Sequence, residues 1–242
     1  MRMGIALVAV VVSGALLVSR TEARQSPAKQ YTLETAAGLK LRDLTAEPAT
    51  LQGKKGVRIT MPEATLKKLS ANAGDLEQIA LIDGLEFDNG IIEAEIAGVP
   101  APWAGDAARG FVGIAFRVQN DLKTFDAFYL RPTNGRADDQ ERRNHATQYI
   151  SHPDWPWARL RKETPSRYES YADLVPDAWT KVKIEVSGVR ARLYVHDQPQ
   201  PVLIVNDVKT GPQGKGAVGL WVGSGTIAHF RALKVQHTAA TP

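Results

Sequence analysis

Aromatic and hydrogen-bonding side chains crowd one stretch of this sequence. Between Pro132 and Pro176 stand Tyr149, Trp155, Trp157, Tyr168 and Tyr171, interleaved with Asn134, Arg143, Asn144, His145 and Gln148. Just upstream are Arg117, Tyr129 and Arg131. Flat rings can cover the apolar faces of a ligand, while guanidinium and amide groups hydrogen-bond its polar groups. Tyr129, Tyr149, Trp155, Trp157 and Trp179 offer the first device. Arg117, Arg131, Asn134, Arg143, Asn144 and Gln148 offer the second, with His145 as a further donor. An aromatic ring buries about 150–250 Å². Covering a third of that at ~25 cal/mol per Å² is worth about 1–2 kcal/mol, and each matched polar contact adds about 1 kcal/mol. Such terms sum to weak or moderate binding. The competing reading is structural: Trp155-Pro156-Trp157 anchors a loop, and Trp179 and Tyr168 are packing residues.

Other chemistries find less support. There is no Cys, so no thiol nucleophile, thiolate ligand or disulfide framework. His145 and His152 are not spaced as the i, i+4 pair of a helical zinc site. Asp88-Asn89-Gly90 reads as a turn, because the ligand ladder of a calcium loop is missing. No cofactor or metal site is expected, and a structural Ca²⁺ held by loop carbonyls is left open. Asp138, Asp139 and Glu141 could hold Arg142 and Arg143 in place, or one could act as an acid; the structural role is favoured. No phosphate-cradling glycine loop and no Gly-x-Ser-x-Gly elbow is present.

These residues need a frame, and the frame reads as all-β. Short segments rich in β-branched and aromatic residues recur from Tyr31 to Val235, broken by Gly, Asn, Asp and Pro, as in a sandwich or barrel. One helix is expected over Glu63 to Ala71. Side chains alternate along a strand. Val112, Ile114, Phe116 and Val118 then form one face, with Gly113, Ala115 and Arg117 opposite. Phe128 and Leu130 oppose Tyr129 and Arg131. Ile92, Ala94 and Ile96 oppose Glu93 and Glu95; Val182, Ile184 and Val186 oppose Lys181, Lys183 and Glu185. Val218, Leu220 and Val222 oppose Gly219 and Trp221. The small residues Gly113, Ala115 and Gly219 are expected to leave room above an Arg- and Tyr-bearing face. The Glu and Lys rows read as an ordinary solvated face. Structureless loops beyond roughly 12–15 residues are uncommon, and disordered segments are poor in aromatics. Residues 132–176 therefore read as an ordered excursion that builds a site.

The ends and the charge bound the setting. Arg2, the apolar run Ile5 to Val18 and the small residues before Arg24 have the form of a secretory signal peptide; the run is short of the roughly 20 residues that span a bilayer. The expected layout is a signal peptide over 1–23, a polar tail over 24–30, one β-sandwich over 31–236 and a C-terminal tail over 237–242. The expected location is periplasmic or extracellular, with no integral membrane span once the signal is removed. Net charge is +4, but the charges are interspersed, and no basic block tracks phosphates. Nucleic acid is not an expected partner.

Gly110-Phe111-Val112-Gly113-Ile114-Ala115-Phe116-Arg117 followed by Tyr129-Leu130-Arg131-Pro132 resembles a family of exported bacterial proteins. These have the concanavalin A-like lectin/glucanase jelly roll and include keto-disaccharide hydrolase domains. The resemblance runs from about Phe87 to Val235. It implies a two-sheet antiparallel β-sandwich and a carbohydrate ligand; it transfers no catalytic residue. Glucanases of this fold use Glu-x-Asp-x-x-Glu on a strand, which is absent here: Glu93-Ala94-Glu95 lacks both the Asp and the third Glu. Three functions stay open. One is a carbohydrate-binding jelly roll. Another is a glycoside-cleaving enzyme of the keto-disaccharide type, working by elimination beside a carbonyl with His145 and Arg131 or Arg117 as its pair. The third is a structural or protein-binding sandwich, in which the arginines pair internally with Asp126, Glu141 or Glu169.

Overall fold

A computed structural model describes residues 26–70 and 78–238. The signal-peptide segment and the last tail residues lie outside the described residues. In chain order the strands are β1 (Lys29–Tyr31), β2 (Leu39–Lys40), β3 (Thr45–Leu51), β4 (Lys54–Thr60), β5 (Gln78–Phe87), β6 (Gly90–Pro100), β7 (Val112–Val118) and β8 (Phe125–Leu130). Then follow β9 (Thr147–His152), β10 (Glu169–Ser170), β11 (Thr180–Ser187), β12 (Arg190–Val195), β13 (Leu203–Val205), β14 (Gly216–Val222) and β15 (Thr226–His237). Helix α1 (Glu63–Ser70) follows β4, while α2 (Gln140–Asn144) and α3 (Trp157–Glu163) lie in the excursion. Among the described residues, no helix is long and apolar enough to cross a membrane.

The strands form two antiparallel sheets packed as a sandwich. The first runs β13-β12-β11-β6-β15-β4-β3, with β1 added on β15. The second runs β10-β9-β8-β7-β14-β5-β2. The core lies between them, where Ile92, Ile96, Val182 and Ile184 of the first sheet meet Ile114, Phe116, Phe128 and Leu220 of the second, all buried. Alternation explains the first sheet. Its outward Glu and Lys residues are solvated and paired: Lys54 with Glu95 at 2.7 Å, Arg231 with Glu95 at 3.0 Å and Lys234 with Glu93 at 2.9 Å.

Both faces of the second sheet are covered at β7 and β8. Every residue of β7 and β8 is buried, because the excursion folds back over the outer face. Within it, Leu160 of α3, Tyr168 and Leu174 are buried. The small residues expected to leave room for a ligand instead let this face pack tightly. A Cβ on Gly113 would lie 2.6 Å from Tyr129 Cβ, and one on Gly219 would lie 2.1 Å from Ile79 Cγ2. Tyr129 stacks on Trp221 with ring centroids 4.5 Å apart.

Arg117 departs from the expected parity. Between Ala217 and Gly219 the β7–β14 register shifts, so that Val118 pairs with Ala217 but Ala115 with Gly219. That extra residue is a β-bulge, which bends a strand and re-aims a side chain. Arg117 sits there with φ +55°. Its side chain turns into the protein and is wholly buried. It donates to the carbonyls of Asp88, Gly188 and Gly211 at 2.9–3.0 Å and to Thr210 Oγ1 at 3.2 Å. The Asp88-Asn89-Gly90 turn is therefore a receptor for Arg117: Asn89 Oδ1 also accepts from the Gly188 amide at 2.7 Å. Among the described residues, no three His, Asp or Glu side chains are arranged to hold a metal ion.

Candidate functional site: a guanidinium-lined pocket at one end of the second sheet

A pocket of about 680 Å³ opens where β7 begins and β8 and β14 end. The turn from β14 to β15 forms one wall. There Gly225, at φ +69°, lies so close to the β6–β7 loop that a Cβ would sit 2.9 Å from Ala104 Cβ. Gly223 leaves space for Phe111, whose Cβ would stand 2.5 Å from a side chain at that position. Trp103, Phe111 and Trp157 give the pocket an apolar lining. Its polar lining is dominated by guanidinium groups, from Arg109, Arg131, Arg142 and Arg161. Asn134, His145, Ser224 and the Glu63–Lys67 pair of α1 add to the polar surface.

One carboxylate organises this array. The side chain of Glu169 on β10 is only 2 % exposed. It accepts from Arg131 Nη1 at 3.1 Å and from Arg161 through a two-point contact that includes Nε at 3.0 Å. His145 Nδ1 lies 2.9 Å from Glu169 Oε2, within ion-pair reach but off the line of a hydrogen bond. Burial pushes the Glu169 carboxyl up. The Arg161 hydrogen bond and the charges of Arg131, Arg161 and His145 outweigh it and hold the group below its ordinary pKa. Arg131 is pinned on every side. Beyond Glu169, its terminal nitrogens donate to the His145 carbonyl, Tyr129 Oη and Gln148 Oε1 at 2.9–3.0 Å. It thus lends charge and rigidity to the pocket, while its terminal N–H groups are already engaged.

The sequence-predicted residues divide into three groups. Arg131, Asn134, His145 and Trp157 line the pocket. Tyr129 and Gln148 stand behind it as buried supports of Arg131; Gln148 Nε2 also donates to the carbonyls of Tyr149 and Tyr168. The rest are elsewhere. Arg117 is locked into the turn described above. Tyr149 faces the core, where its hydroxyl donates to Asp126 at 2.6 Å and accepts from the Lys209 amide at 2.9 Å. Burial, then the Asp126 charge, raises the Tyr149 pKa well above its usual value. Arg143 lies against the Tyr171 ring and bonds its hydroxyl at 3.1 Å. Asn144 is bonded to Gln140 on the exposed side of α2. Trp155 is sandwiched by Arg159 at 4.0 Å and Lys209 at 4.4 Å. Asp139 caps α2, its carboxylate accepting from the Arg142 amide at 2.7 Å, instead of binding an arginine side chain.

Arg109, Arg161, Trp103 and Phe111 are pocket residues that sequence reasoning left unassigned. Arg161 had a usable signal: it follows Trp157 by four positions, the spacing that places side chains on one helix face, and its guanidinium lies 4.8 Å from the Trp157 ring. Trp103 and Arg109 come from the β6–β7 loop, where no periodicity points to them.

The sandwich is of the galectin and concanavalin type. No family model matches the chain, and no curated protein matches it in sequence. Among solved structures it is similar to the carbohydrate-binding module CBM66 from Bacillus subtilis, with a TM-score of 0.50 and 15% identity, covering 81% of this chain and 97% of that one. It is also similar to a Bacillus subtilis protein of unknown function with a galectin-like fold, with a TM-score of 0.53 and 10% identity over 91% and 100% of the two chains. A Parabacteroides distasonis protein provisionally described as a glycosyl hydrolase matches with a TM-score of 0.50 and 9% identity over 87% and 100%. At these identities the likeness is one of fold.

Proposed function

We propose that this protein is an exported carbohydrate-binding protein that takes a sugar into the guanidinium-lined pocket. The observation that carries the reading is the pairing of an exposed ring with fixed donors. Trp157 is 40 % exposed and flanked by Arg161, which Glu169 fixes and which keeps N–H groups beyond those given to Glu169; Arg131 beside it adds charge. Sugar recognition needs this pairing: a ring for the C–H face and oriented polar groups for the hydroxyls. Asn134 adds an acceptor, since its Oδ1 is buried without a partner among the described residues while Nδ2 donates to the His145 carbonyl at 3.2 Å. A fold shared with a carbohydrate-binding module supports the reading, and export rests on the apolar segment after Arg2.

The test is a glycan array followed by calorimetry on wild type and Trp157→Ala. Removing the ring forfeits about 1–2 kcal/mol of covered surface, so affinity should fall roughly 5–30-fold with little change in melting temperature. Absence of binding across the array, or full affinity in Trp157→Ala, overturns the proposal.

A second reading is favoured by His145, which borders the pocket with Glu169 2.9 Å from its Nδ1. A histidine within ion-pair reach of a carboxylate at a pocket edge is a candidate base for proton abstraction, although the present contact is off the line of a hydrogen bond. Beside a sugar ketone, the base would take the neighbouring C–H proton. That bond's electrons would form a C=C bond, and the glycosidic oxygen would leave with its electron pair and be protonated. Incubation with ordinary and 3-keto disaccharides decides it. Released monosaccharide that disappears in His145→Gln supports turnover, and no release alongside measurable binding removes it.

A further inference from the structure

The polar chemistry of the pocket is lopsided. A neutral sugar presents hydroxyls that both donate and accept, and a matching site supplies both. Here the free polar atoms are almost all donors. Arg142 has no hydrogen-bond or ion-pair partner for its side chain among the described residues. Among the described residues, Arg109 bonds only the backbone carbonyls of Asp106 and Ala108, through Nη1. Arg161 retains N–H groups beyond those given to Glu169. Among the described residues, two guanidiniums share one carboxylate, and the other two have no carboxylate within ion-pair distance. Among the described residues, Glu63 is the one carboxylate that lines the pocket, and it is tied to Lys67; the exposed Glu141 lies 3.8 Å from His145 Nε2.

Resting on the carbohydrate reading above, we infer that the sugar bound here is acidic, carrying a carboxylate or a sulfate ester that the Arg109, Arg142 and Arg161 guanidiniums receive. Both groups are acceptor-only anions that match the planar fork of arginine. The array is unbalanced without one: burial, then the like charges of Arg142 and Arg131, push the Arg109 guanidinium below its ordinary pKa. Size argues against a bare inorganic ion, since a pocket of about 680 Å³ falls in the roughly 300–1,000 Å³ range of small-molecule sites. Its apolar wall of Trp103, Phe111 and Trp157 has no role in holding sulfate or phosphate alone. Asn134 Oδ1, the unpartnered acceptor, then meets a hydroxyl of the same sugar.

The experiment is calorimetry on the full chain with matched pairs. One arm compares oligogalacturonate and oligoalginate with their methyl esters. The other compares sulfated galactan and heparin oligosaccharides with their desulfated forms. Inorganic sulfate and phosphate are controls. The acidic member of at least one pair should bind tenfold or more tightly than its neutral partner, with affinity falling as salt rises, and the arm that responds identifies the anion. Arg142→Ala should lose most of that preference at unchanged melting temperature. Equal binding within every pair, or a preference intact in Arg142→Ala, overturns the acidic-sugar assignment and leaves the carbohydrate reading standing. Binding of the inorganic anions without any sugar, or no binding in any arm, overturns both.

Discussion

Replacing Glu169 by glutamine removes one negative charge and keeps the side chain's shape. Glu169 and Arg131 are 2 % and 5 % exposed as side chains, so their ion pair is a buried one. Breaking a buried pair costs about 3–5 kcal/mol, because the surviving charge stays desolvated. Arg131 keeps three neutral acceptors in Gln148, Tyr129 and the His145 carbonyl, which places the loss at the low end, about 3 kcal/mol. Arg161 is far more solvated and adds only about 0.5 kcal/mol. A total near 3.5 kcal/mol, at about 2–4 °C per kcal/mol for a domain of this size, lowers Tm by roughly 7–14 °C. Thermal and urea unfolding followed by circular dichroism measure it. The pH dependence sharpens the test. The folded-state pKa of Glu169 is depressed, so its contribution is present above the unfolded carboxylate pKa of about 4.3. That contribution is lost as pH falls through the folded value. The gap between wild type and Glu169→Gln should be full at neutral pH and shrink as the solution is acidified below about pH 4.3. A Tm within about 2 °C of wild type at neutral pH, corresponding to no more than about 1 kcal/mol, would refute the reasoning. So would a gap that ignores pH.

Two further substitutions probe the frame. Arg117→Ala strips donors from the buried carbonyls of Asp88, Gly188 and Gly211. At about 1–3 kcal/mol for each unsatisfied group it should cost about 4 kcal/mol or more in urea unfolding, and a loss under about 1 kcal/mol contradicts the clamp. Gly113→Ala would set a Cβ 2.2 Å from the Phe128 carbonyl oxygen. It should cost about 2–3 kcal/mol and weaken the near-ultraviolet signal of the stacked Tyr129 and Trp221, so an unchanged spectrum at unchanged stability contradicts the packing described.

Where one face meets water, the sequence told the two faces apart. β6 and β11 alternate buried and partly exposed residues, and their core positions follow from parity alone. The second sheet defeats the same logic because water reaches neither face of β7 or β8. Tyr129, Gln148 and Trp221 look like an exposed ligand surface in the sequence, yet they are the underside of the excursion. β3 left no signal, since an edge strand with Pro48 and mostly solvated side chains carries neither alternation nor an apolar run. The bulge at Arg117 is also silent, because φ +55° at a non-glycine residue has no composition signature. In the pocket, Arg131, Asn134, His145 and Trp157 were legible as polar and aromatic residues in a charged excursion. Arg109 and Trp103 reach it only through the meeting of distant loops.

Glu169 links these two levels. An excursion as long as 132–176 must offset the entropy of ordering it, about 1–2 kcal/mol per residue for the backbone. Its buried side chains Leu160, Tyr168 and Leu174 supply part of that. The pairing of Glu169 with Gln148 across β10 and β9 fixes where its return strand docks. The carboxylate that this docking buries is the one that orients Arg131 on the sheet and Arg161 on α3. The floor of the pocket is therefore as rigid as the fold itself. The rim residues Arg142 and Trp157, both exposed, can be replaced without disturbing it. Affinity and charge preference should accordingly respond to rim substitutions at constant stability, whereas substitutions at Glu169 should move stability and binding together.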